Sequence, residues 1–105
     1  MTVADWLRER VPRPPARLTT SIEAALGDRV TAPDDATGAV CLDAAESLLR
    51  DLLARASAGR ESALDLLTVD ALITYAFEAA AENPDTFDAR ARRAAWRLAD
   101  TVGNE

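Results

Sequence analysis

Apolar residues recur along this chain every three to four positions and nowhere alternate one by one over the length of a strand. That period predicts α-helix throughout. Val3, Trp6 and Leu7 share a face of a short first helix, Val3 to Arg10, with Thr2 as its N-cap. The run Val11-Pro12-Arg13-Pro14-Pro15 breaks it, because each proline restricts the residue before it. A second helix is predicted from about Pro14 to Leu26, with Leu18, Ile22, Ala25 and Leu26 on its buried face and Gly27 as C-cap. Residues 28–36 read as a polar loop around Pro33-Asp34-Asp35, from which Asp34, Asp35 or Thr37 caps the next helix.

The third helix, about Ala36 to Ala56, is the most cleanly amphipathic. Cys41, Leu42, Ala45, Leu48, Leu49, Leu52, Leu53 and Ala56 form one stripe, and Asp43, Glu46, Ser47, Arg50 and Asp51 lie opposite. Ser57-Ala58-Gly59 ends it. The fourth helix, about Glu61 to Glu82, is apolar over most of its circumference, with a narrow polar strip of Glu61, Asp65, Thr68, Glu78 and Glu82. Such a helix belongs at the centre of a fold. Asn83-Pro84 stops it. A fifth helix runs from Pro84 or Asp85 to Val102, with Phe87, Ala91, Ala94, Leu98 and Val102 inward, and residues 103–105 form a tail. The expected architecture is an all-α antiparallel bundle of four main helices plus a short N-terminal helix, one domain over residues 1–105.

Composition narrows the chemistry. There is one Cys and no His in 105 residues. An internal disulfide, a Cys/His zinc site and any histidine-based catalysis are thereby excluded. The net charge of −6 argues against a nucleic-acid binder. The charge is uneven: +1 over residues 1–29, −9 over residues 30–88 and +2 over residues 89–105. All twelve basic residues are Arg, which with the abundance of Ala suggests a GC-rich bacterial genome. No signal peptide and no membrane-length apolar run are seen, so a cytoplasmic location is expected.

Two residues depart from the pattern. Asp70 lies about 180° around the fourth helix from Glu61, between Leu66, Ile73 and Phe77, with Thr74 one turn on. A carboxylate in an apolar face must be paired, hydrogen-bonded or protonated. It is either held internally, by an ion pair or by a hydrogen bond to a helix end, with Arg17, Arg90 and Tyr75 as possible partners, or it is a ligand site formed with Thr74 and Tyr75. Trp96 points about 160° away from Leu98, among Ala89, Arg92, Arg93 and Asp100. It reads as an interface anchor, or as a cover for the open edge of its own bundle. Arg90, Arg92, Arg93 and Arg97 form either a solvated helix face or a surface for an acidic partner. Cys41 reads as a buried structural thiol with no His or Lys to activate it. Glu78/Glu82 and Glu61/Asp65 have the four-residue spacing of carboxylate bundles but lack the His such metal sites use.

No phosphate-binding loop, dinucleotide fingerprint or nucleophile elbow occurs. The expectation is therefore a non-enzymatic protein-interaction module without cofactor or metal. It would bind a protein partner or a second copy of itself through Trp96, Arg92 and Arg93, with no nucleic acid or membrane as partner. The alternative is a small-ligand-binding bundle with an interior site around Asp70, Thr74 and Tyr75.

Overall fold

The computed structural model of the protein describes residues 1–55, 59–82, 92–93 and 95–100. Its helices are α1 (Val3–Arg8), α2 (Ala16–Leu26), α3 (Thr37–Arg55) and α4 (Arg60–Ala80). Residues 92–93 and 95–100 are also helical, so part of the expected fifth helix is seen; residues 83–91, 94 and 101–105 lie outside the described residues, as do 56–58 with Ala56 of the expected α3 stripe. Among the described residues there is no strand, only an isolated antiparallel bridge between Thr2 and Pro33. The molecule is an all-α bundle.

Local chemistry sets the helix ends. Thr2 caps α1 through a capping box: its hydroxyl accepts from the Asp5 amide at 3.2 Å, and the Asp5 carboxylate accepts from the Thr2 amide at 2.9 Å. The bonds from Thr2 hold the Asp5 carboxyl below its ordinary pKa. α1 stops at Arg8, two residues short of the expected end, and α2 begins after Pro15 rather than at Pro14. Gly27 closes α2 at φ +59, a backbone angle that side-chain-bearing residues rarely adopt. The expected loop at 28–36 contains two short 3₁₀ turns, Gly27–Thr31 and Asp34–Ala36. The buried Thr37 hydroxyl donates to the Asp34 carbonyl at 2.7 Å, tying the second turn to the start of α3.

α3 and α4 make the most extensive contact in the fold. Residues 56–59 alone join these two long helices, so the helices run antiparallel. Arg55 at the end of α3 pairs with Asp65 near the start of α4 at 2.9 Å. The core gathers Val3, Ile22, Leu26, Cys41, Ala44, Ala45, Leu52, Val69, Leu72 and Ala76. Ala44, Ala45 and Ala76 let the helix backbones come close, while Leu26, Leu52 and Leu72 fill the space between them. Cys41 lies in that core, and burial pushes its thiol pKa up to about 12.

The phase of α4 differs from the expectation. The buried positions are Ser62, Thr68, Val69, Leu72, Ala76 and Ala79. Thr68, read as part of a polar strip, is fully enclosed. Its hydroxyl lies 2.7 Å from Ser21 Oγ on α2 and 2.8 Å from the Leu64 carbonyl. Leu66, Leu67 and Phe77, read as core, are 54%, 56% and 61% exposed. A helix apolar nearly all round gives its periodicity no preferred direction. The inward side is then fixed by which polar groups find partners, and Thr68 finds Ser21.

α3 shows a second departure. Glu46, expected on the solvent face, is only 8% exposed. The last helical stretch reaches this side of α3, where Arg97 Nε donates to Glu46 Oε2. Among the described residues no helix is long and apolar enough to cross a membrane.

Candidate interaction surface

The last helical stretch is held to α3 by charge. Glu46 accepts from Arg97 through one carboxylate oxygen and sits 3.4 Å from the Arg50 guanidinium through the other. Such charge-assisted contacts are stronger than neutral ones and fix orientation. Hydrogen bonding to Glu46 raises the pKa of Arg97 above its ordinary value, so this cation stays charged at any ordinary pH. Leu98, half-buried, lies about 160° from Trp96 around a helix. With Arg97 turned to α3 and Leu98 partly covered, Trp96 is left 76% exposed. Arg92 and Arg93, four and three residues before Trp96, are exposed as well and fall within about 60° of it on a helix. The indole and the two arginines are thus all open to solvent.

Asp70 stands elsewhere. It is exposed on α4, and the expectation of a buried carboxylate is corrected: its neighbours Leu66 and Phe77 are themselves on the outer side. Thr74 is also exposed, and its hydroxyl donates to the Asp70 carbonyl at 2.9 Å, a backbone contact that leaves the carboxylate uninvolved. Tyr75 lies about 140° around the helix from Asp70. It is half-buried, its ring edge-on to Trp6 with centroids 6.2 Å apart. The three residues do not converge, so no interior site forms around Asp70. Of the partners considered for Asp70, Arg17 is exposed and Arg90 lies outside the described residues.

Trp6 organises the other end of α4. It is buried, the Arg10 guanidinium lies 3.7 Å above its ring, and its indole N–H donates to Glu82 at 3.3 Å. Arg10 also donates to the Trp6 carbonyl at 3.1 Å and stands 3.5 Å from Glu78. Glu82 and Glu78 thus serve as docking points for Trp6 and for Arg10 just beyond α1, and Asp65 serves Arg55. Burial, with Glu78 second, raises the pKa of Tyr75, keeping its phenol protonated near neutrality.

Two features were not visible in the sequence. The Glu46–Arg97 pair joins residues 51 positions apart, and only the Glu46–Arg50 spacing hinted at an ion pair. A cavity of about 250 Å³ opens between α1, the proline-rich segment and α2, lined among others by Leu7, Arg13, Ile22, Val30 and Tyr75. Its residues come from five places in the chain and form no motif.

Among the described residues the protein is a helical bundle whose last helical stretch carries an exposed indole. Comparison with known protein families, with curated proteins and with solved structures gives no match.

Proposed function

We propose that the protein is a non-enzymatic interaction module that binds a second copy of itself through the outer face of its last helical stretch. The observation that carries this reading is the 76% exposure of Trp96 beside exposed Arg92 and Arg93. An indole left in water gains much when a partner covers it, and Trp and Arg dominate the energetic centres of protein interfaces. The complement is present on the same chain. On α4, Leu66 and Leu67 are more than half exposed around the exposed carboxylate of Asp70. An apolar patch with an acid at its middle suits an aromatic flanked by cations: Trp96 covers Leu66 and Leu67, and Arg92 or Arg93 reaches Asp70.

The test is solution mass by light scattering over a range of concentration. The wild-type mass is expected to rise towards twice the 11.3 kDa of one chain. Trp96→Ala and Asp70→Arg should each hold it at one chain. Combining Asp70→Arg with Arg92→Asp and Arg93→Asp should restore association. A wild-type mass that stays at one chain throughout, or a dimer indifferent to Trp96→Ala, overturns the proposal.

A further inference from the structure

We infer that the cavity beneath α1 is a binding site for a small organic monocarboxylate with an apolar body. This rests on different residues from the Trp96 face and is independent of it. The cavity measures about 250 Å³. A dry protein cavity of about 150 Å³ holds benzene, so this space accommodates a ring-sized body and a charged head. Its apolar wall is built from Ala4, Leu7, Ile22 and Val30, of which Ile22 belongs to the core.

The polar groups at the wall are mostly donors. Arg8 has one ion pair, to Asp5 at 3.3 Å, which leaves other N–H groups of its guanidinium unused. Arg13 has no anionic partner among the described residues, although it lies in a molecule with an excess of acids. The Tyr75 hydroxyl likewise has no hydrogen-bonding partner among the described residues. Like any phenol it is protonated near neutrality and so able to donate, and burial moves its pKa further up. Against these stands a single carboxylate, Glu23. Two guanidinium groups, a phenol and one acid favour a monoanion over a cation. A planar carboxylate matches the guanidinium fork in two parallel hydrogen bonds. Pro14 restricts the backbone of Arg13 at the rim of the cavity.

The experiment is a titration of the full chain, followed by amide chemical shifts in ¹⁵N-labelled protein, with benzoate, benzamide and benzylamine. Benzoate is expected to give saturable shifts at Ala4, Leu7, Ile22 and Val30 and none around Trp96. The two isosteres without negative charge should bind about tenfold or more weakly, as loss of a charge-assisted contact implies. Arg13→Gln, on an exposed side chain without a partner, leaves the fold intact and should weaken benzoate by a similar factor while leaving benzamide unchanged. Ala4→Leu, which places extra carbon in the cavity, should abolish binding. Absence of saturable benzoate shifts, shifts centred elsewhere, equal affinity for benzamide, or indifference to Arg13→Gln overturns the inference.

Discussion

The phase of α4 makes a quantitative prediction at two positions separated by one turn's fraction, Thr68 and Asp70. Asp70 is exposed and its carboxylate has no partner among the described residues; the side-chain bond at this position, from Thr74, goes to its backbone carbonyl. In the single chain, at protein concentrations too low for association, Asp70→Ala therefore removes no side-chain contact. Asp is among the weaker helix formers and Ala the best, so the substitution should be neutral or stabilising by up to about 0.7 kcal/mol. Had the acid been buried in a pair, the same change would cost about 3–5 kcal/mol. Thr68 is the converse. It is closed to solvent, with Ser21 and the Leu64 carbonyl as its polar neighbours. Thr68→Asp places a carboxylate there with no cation to meet it, at a cost of several kcal/mol. That is a large share of the roughly 5–15 kcal/mol that holds a domain together. Thr68→Val, which keeps the shape and loses the hydroxyl, should cost only about 1 kcal/mol, because half-buried Ser21 still reaches water. Urea unfolding followed by far-ultraviolet circular dichroism measures all three, with the slope against denaturant confirming that the transition stays two-state. A loss above about 1 kcal/mol for Asp70→Ala, or below about 1 kcal/mol for Thr68→Asp, would refute the assigned orientation of α4.

Further outcomes are expected. Trp6→Ala should cost about 3–5 kcal/mol in the same assay, since it empties a buried site and removes the partners of Arg10, Tyr75 and Glu82. Cys41 should resist thiol reagents in native protein at mild alkaline pH and react fully in denaturant. Its folded pKa, about 12, lies above the unfolded one, so its contribution is complete below about pH 9 and lost as pH rises towards 12. Wild-type stability should accordingly fall across that window more steeply than that of Cys41→Ala, by up to about 1.4 kcal/mol per pH unit. Glu46→Gln should release the last helical stretch from α3, seen as faster amide hydrogen exchange over residues 95–100 with the α3–α4 amides unchanged; unchanged exchange there would remove the anchoring role of Glu46.

Much of the fold could be read from the chain because its punctuation is local. Thr2 with Asp5, Pro15, Gly27 and Gly59 mark helix ends through backbone chemistry confined to a few residues. The stripe of α3 was legible for the same reason, since apolar and polar residues segregate cleanly around it. α4 was not, because apolar residues surround it and the partner that encloses Thr68 is Ser21, 47 positions earlier. Glu46 looked like solvent-facing charge because the element that covers it lies far along the chain. Helical spacing turned Trp96 away from Leu98 but left open whether it covers an edge of its own bundle; its exposure of 76% came from the structure. The cavity under α1 depends on how a proline-rich turn stands off from α2, which no spacing encodes.

The six residues of α1 bear on the order in which the molecule assembles. A helix of that length does not persist alone in water. Its attachments reach far: Val3 donates to the Ala32 carbonyl, and Trp6 donates to Glu82 across 76 positions. Closing so long a loop is entropically unfavourable until α2, α3 and α4 already stand in place. α1 is thus the last piece to settle and the first to lift away. Ala4, Leu7 and Arg8 of α1 wall one side of the cavity, so that space takes its shape only when this last step is complete.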